Sequence, residues 1–98
     1  MRMLLKVSVP VEKGNEATNS GAMQQAIQTT MDQLKPEATY FYADERGNRS
    51  GLFVFEMEGS WQLAPILEPL FQGLGAPVHV TPVMNPEELQ RGLGEIAG

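Results

Sequence analysis

Breakers cut this sequence into short pieces, and the apolar spacing switches between two residues and three or four from one piece to the next. Met3, Leu5, Val7 and Val9 alternate with Leu4, Lys6 and Ser8, which predicts a strand. Pro10 closes it, because proline cannot donate to a ladder. Residues 12–18 are polar and contain Gly14 and Asn15, so they read as a loop or an irregular helix start. From Asn19 to Leu34 the spacing becomes helical. Met23, Ala26, Ile27, Met31 and Leu34 form one stripe, with Gln24, Gln25, Gln28, Asp32 and Gln33 on the other side. Asn19 or Ser20 is the expected cap. Pro36 is the expected stop, because it pushes Lys35 out of the α region.

The stretch from Ala38 to Ala43 is rich in Tyr, Phe and Thr and predicts a second strand. A polar turn follows, with Gly47-Asn48 suiting a two-residue hairpin. Gly51 to Met57 is the return strand, broken by Gly59-Ser60. A second helix runs through Trp61, Leu63, Ile66, Leu67, Leu70 and Phe71. Pro65 is tolerable in its first turn, whereas Pro69 is expected to kink or shorten it. Val78 to Met84 reads as a fourth strand, which Pro82 places at an edge or makes irregular there. Asn85-Pro86-Glu87-Glu88 is a helix start, and Leu89 to Ile96 a short helix interrupted by glycine. The order β-α-β-β-α-β is the split pattern of ferredoxin-like folds. The expected fold class is therefore α+β. One domain spans residues 1–98, with a four-stranded antiparallel sheet in the order 4-1-3-2. Two main helices lie on one face, and a short C-terminal helix follows.

Two helices cover one face of such a sheet and leave the other open. Leu5, Val7 and Val9 are assigned to the helix side with Val78, Val80, Phe53, Phe55 and Met57. A two-residue hairpin then puts Thr39, Phe41 and Ala43 on the open face with Leu4, Lys6, Ser8, Leu52, Val54, Glu56, His79, Thr81 and Val83. A bulge in the hairpin would reverse the assignment of the second strand. That open face is too apolar for water, so a homodimer that shields Leu4, Phe41, Leu52, Val54 and Val83 is expected.

Charge and composition exclude whole classes of function. Seven Lys and Arg stand against twelve Asp and Glu, a formal net charge of −5. Such a surface repels phosphate backbones and anionic lipid, so neither nucleic acid nor membrane is an expected partner. With no cysteine and one histidine, thiol chemistry and poly-histidine metal sites are excluded within one chain. No metal or cofactor is expected. The first apolar run is interrupted by Lys6 and is too short for a secretory or membrane segment. A cytoplasmic location is the expectation.

Lys35-Pro36-Glu37-Ala38 runs into Tyr40-Phe41. Glu68-Pro69 is followed by Phe71. Pro82-Val83-Met84 is followed by Pro86-Glu87 and Leu89. With these words and this element order, the chain resembles the dimeric α/β-barrel superfamily, and within it a group of small stand-alone bacterial proteins of unassigned function. The resemblance implies two ferredoxin-like sheets facing each other around a cavity. It supplies no catalytic residues. Superfamily members include cofactor-independent monooxygenases, haem-degrading enzymes, lactone isomerases and polyketide cyclases, and their residue constellations are not found here.

The expected function is that of a small dimeric protein binding an apolar or aromatic small molecule in a barrel cavity. One alternative is a cofactor-independent isomerase, cyclase or monooxygenase; another is a purely structural dimer with a filled barrel. The expected ligand-binding residues are His79, Lys6 and Glu56. Histidine titrates near neutrality and can move a proton. Lys6 and Glu56 on neighbouring strands would form either an acid–base pair or a static ion pair, and the static pair is the commoner arrangement. Trp61 reads as a helix anchor, Tyr40 and Tyr42 as packing residues, and the two Gly-Leu-Gly sequences as helix stops.

Overall fold

The first strand, β1 (Arg2–Val9), occupies the centre of the molecule and shows why its alternation mattered. Met3, Leu5, Val7 and Val9 are buried, and the residues between them are half-buried. The computed structural model describes residues 1–97. It is an α+β arrangement: one antiparallel sheet in the order β2-β3-β1-β4, with four helices. Read from the opposite edge, this is the expected 4-1-3-2, and the arrangement is compatible with a ferredoxin-like fold. β2 (Ala38–Ala43) and β4 (Val78–Pro82) are the edges, so Pro82 stands where its missing N–H breaks no inner ladder. β3 (Arg49–Glu56) pairs with both β1 and β2.

The polar stretch after Pro10 is helical. Helix α1 (Val11–Ser20) starts on Pro10, whose carbonyl accepts from Gly14 N–H at 2.8 Å. Gly14 and Ala17 are its only buried residues, so it carries no apolar stripe to read. Gly21, at φ +86°, ends it and at once begins α2 (Ala22–Leu34). Ser20 bridges the break, donating to Ala17 O and accepting from Ala22 N–H, each at 3.3 Å. Lys35 ends α2 in the left-handed region at φ +44°, as the following proline disfavours continuation.

After β3, a single 3-10 turn (Ser60–Gln62) leads into α3 (Leu63–Leu74). Gln62 Oε1 accepts from Glu58 N–H at 2.7 Å. The Trp61 ring lies over Gly59, where a Cβ would meet ring carbon Cζ3 at 1.7 Å. α3 runs through Pro69 to Leu74, so the proline does not shorten it, and Gly75 ends it. Its apolar line Ile66, Leu70 and Leu74 is buried on both sides of that proline. Small residues let α2 and α3 approach, with a Cβ at Gly73 lying 3.7 Å from Ala26 Cβ.

The core is the layer between the sheet and these helices: Met3, Leu5, Val7, Val9, Phe53 and Phe55 against Ala26, Leu34, Ile66, Leu70 and Leu74. Helix α4 (Pro86–Ala97) stands apart. It begins with a reciprocal cap, Asn85 Oδ1 accepting from Glu88 N–H and Glu88 Oε1 from Asn85 N–H. None of its residues is buried, and Leu89, Leu93 and Ile96 form an exposed apolar stripe. The molecule accordingly extends 55 Å along its long axis, with a radius of gyration of 15.4 Å. About 12.6 Å is usual for this length. No helix among the described residues is long and apolar enough to cross a membrane.

Candidate ligand-binding site

The hairpin between β2 and β3 decides what each face carries, and it does not have the two-residue turn expected at Gly47-Asn48. Asp44 N–H donates to Asn48 O at 3.0 Å, and Gly47 N–H to Asp44 O at 2.9 Å. Three residues, Glu45, Arg46 and Gly47, therefore form the loop, with Gly47 left-handed at φ +77°. This is the turn-plus-bulge hairpin that demands glycine at its last position. Asp44 holds it together. Its carboxylate accepts from Ser8 Oγ at 2.7 Å, Asn48 N–H at 3.0 Å and Arg46 N–H at 2.9 Å. The Ser8 hydroxyl first, and then the Asn48 and Arg46 amides, hold its pKa down at about 2.

The longer loop shifts the register by one and moves the whole of β2 to the other face. Thr39 pairs with Phe53, Phe41 with Gly51 and Ala43 with Arg49, so these residues face the helices. Phe41 is not on the open face as expected. Its ring meets Phe53 edge-on, with centroids 5.8 Å apart. Tyr40 and Tyr42 take its place on the open face, beside Leu52 and Ser50.

With Phe41 turned toward the helices, a cavity of about 480 Å³ lies between the hairpin end of the sheet and helices α1 and α2. Its walls are Phe41, Phe53, Val7, Val9, Met23, Ile27, Leu70 and Leu74. Gly51 keeps the floor low, since a Cβ there would stand 3.3 Å from the Phe41 and Phe53 rings. Two polar groups matter. Thr30 is 1% exposed, lines the cavity and has no hydrogen-bond partner for Oγ1 among the described residues. Arg49 also lines the cavity and is exposed, which places it at the rim. Its Nη2 donates to Asn15 Oδ1 at 3.0 Å, and its guanidinium lies across Gly14 of α1.

A scan of protein-family models and searches of curated proteins and of solved structures find no match to this chain. The residues themselves therefore carry the whole of the functional argument.

The residues expected to hold a ligand stand on the opposite side of the sheet from this cavity. Lys6 and His79 are direct partners across β1 and β4, as the alternation implied. Glu56 shares their face but is not beside them, for it pairs with Arg2, four residues along β1 from Lys6. Its carboxylate meets the Met1 amino group instead. The Lys6 ammonium lies 6.0 Å from the centre of the Tyr42 ring. The expected triad is thus a neighbouring pair and a separate acid, and the register of β1 against β3 is the reason. Arg2 forms the true ionic junction of this face, pairing with Glu37 through Nε at 2.9 Å and with Glu88 of α4. The hydrogen bond to Glu37, chiefly, raises the pKa of Arg2. Glu88 is lowered, first by its bond from the Asn85 amide.

The cavity residues left their own marks in the sequence. Thr30 stands four residues from both Ala26 and Leu34, a polar residue on the buried stripe of α2. Gly51 interrupts a strand, which marks a close approach of neighbouring atoms. Gly14 has no such mark, because the stretch around it has no apolar period.

Proposed function

We propose that the chain binds an apolar or aromatic small molecule in the cavity between its sheet and helices α1 and α2. The observation that carries this reading is the cavity of about 480 Å³, walled by Phe41, Phe53, Ile27 and Leu70. The volume is within the range of small-molecule sites. Beside the cavity, Thr30 keeps a buried hydroxyl without a partner among the described residues, which costs about 1–3 kcal/mol. A chain selected for stability alone gains by filling such a space and replacing such a group. The volume therefore favours a binding protein over a chain selected for stability alone. Among the described residues no acid and base pair lines the cavity, so the binding reading is preferred to catalysis.

The binding unit is proposed to be a ferredoxin-like homodimer, in the manner of a dimeric α/β barrel. The open face carries Leu4, Leu52 and Val54 with the exposed Tyr40 and Tyr42, and α4 carries a free apolar stripe. A second copy covers both at once. The plan area of the sheet face, with an arm given to and one received from the partner, is roughly 700 Å² per protomer from standard strand and helix dimensions. Stable interfaces bury about 600–1,000 Å² per partner, and the face lies within that range.

The test is amide-resolved NMR titration with two neutral probes, decanol and naphthol. Shifts concentrated at Thr30, Phe41, Gly51 and Phe53 are expected, with Leu4 and Val54 unmoved. Ile27→Trp, which places a large ring in the cavity, is expected to abolish them. Shifts confined to the open face, or none, would overturn the reading. Sedimentation of the wild type and of Leu52→Glu tests the dimer: a shift from dimer to monomer in the variant is expected, and a monomeric wild type refutes it.

A further inference from the structure

We propose that the ligand of this cavity is an apolar monocarboxylate whose acid group is held by Arg49 at the rim. The inference rests on the cavity being a ligand site, and it names the chemistry of that ligand. Arg49 is built into its place. It stands on β3 directly opposite Val9, another cavity residue, and its guanidinium lies across Gly14 of α1. A Cβ at Gly14 would be 2.6 Å from Nη1. Asn15 fixes one edge of the group through Nη2. That bond uses one of five donors and leaves a planar fork.

The charge of Arg49 has no counterpart. Acids outnumber bases by twelve to seven in this chain, yet among the described residues no carboxylate lies within ion-pair distance of Arg49. Arg2, by contrast, has two. An arginine fork matches a carboxylate in two parallel hydrogen bonds, and such charge-assisted bonds are about twice as strong as neutral ones. An apolar hollow with one unpaired guanidinium at its mouth is complementary to a molecule with an apolar body and one anionic end. The size follows from the volume: about 480 Å³ holds roughly sixteen groups at the ~30 Å³ that a water takes. A chain the length of decanoate fits with its acid at the rim.

The experiment compares decanoate with decanol, which share the apolar body and differ in the acid. Both are titrated into the wild-type protein, Arg49→Gln and Arg49→Lys, with amide shifts at Thr30 and Gly51 as the readout. Decanoate is expected to bind the wild type about tenfold more tightly than decanol, the value of one charge-assisted pair at a half-open rim. Arg49→Gln is expected to remove that preference, weakening decanoate about tenfold more than it weakens decanol. Arg49→Lys keeps the charge without the fork and is expected to retain part of it. Equal binding of the two probes to the wild type overturns the inference and leaves the apolar-site reading standing. Failure of both to bind overturns both. The wild-type comparison decides the question even where a variant does not fold.

Discussion

Replacing Thr30 by valine is expected to stabilise this protein, an unusual result for a buried position. The side chain is 1% exposed and its hydroxyl has no partner among the described residues. Valine has nearly the same shape, exchanges the hydroxyl for a methyl group, and has a helix propensity close to that of threonine. An unsatisfied buried hydroxyl costs about 1–3 kcal/mol. Thr30 borders a cavity large enough to admit water, so the lower end of that range applies. A gain of about 1 kcal/mol raises the midpoint of thermal unfolding by about 4–8 °C in a domain of this size. The assay is thermal unfolding followed by circular dichroism, with protein concentration fixed because a dimer's midpoint depends on it. Thr30→Ser is the control. It keeps the hydroxyl and loses a methyl group, so it is expected to cost about 0.8 kcal/mol. A Thr30→Val protein less stable than wild type by 1 kcal/mol or more would show that the hydroxyl is satisfied, and the reasoning would fail.

Three other outcomes are expected. Asp44 has a folded pKa near 2, below its ordinary 3.8. Its contribution to the hairpin is thus complete above about pH 4 and is lost as pH falls through about 2. The carboxyl carbon shift of Asp44 is expected to titrate near 2, and a midpoint near 4 would show that the Ser8 bond does not hold in solution. Gly47→Ala forces a side chain into the left-handed region and is expected to cost about 1–2 kcal/mol, read as a lowered unfolding midpoint; an unchanged midpoint would contradict the three-residue turn. Gly59→Ala keeps an extended backbone that any residue adopts, but its Cβ takes the place of the Trp61 ring. A change in Trp61 fluorescence without loss of helix content is expected, and an unchanged spectrum would remove the ring from Gly59.

The strands were legible because each carries its own evidence. β1 alternates without exception, and β2 has the aromatic content of a strand, with bounds at Ala38 and Ala43 as read. The edge position of β4 followed from Pro82 alone. Helix α1 was hidden for a physical reason. It buries only Gly14 and Ala17, and a helix that buries so little shows no period. Pro69 does not shorten α3. Proline removes one hydrogen bond from α3, but the buried line of Ile66, Leu70 and Leu74 outweighs that loss. In α4 the cap at Asn85 and Pro86 was plain, while the projection of the helix away from the sheet depends on contacts its own sequence does not contain.

The position of the site turned on one residue of loop. Both faces of β2 are apolar or aromatic, so composition does not say which one faces the helices, and the turn alone decides. Under a two-residue hairpin, Tyr40 and Tyr42 would have pointed toward α2 and placed two phenol groups beside Thr30. The three-residue turn instead sends in Thr39, Phe41 and Ala43, opposite Phe53, Gly51 and Arg49. Helix α2 packs against β3 and α3 against β4, which leaves the β2 side of that face without a helix on it. Phe41 is consequently 54% exposed although it faces the helix layer. The hollow is therefore a consequence of two helices spanning four strands, with the small residues Gly51 and Ala43 flanking the one large ring at its edge. An apolar ligand seated there, as proposed, would do for β2 what a further helix would otherwise do, and its binding would be coupled to the order of the hairpin that Asp44 and Gly47 hold in register.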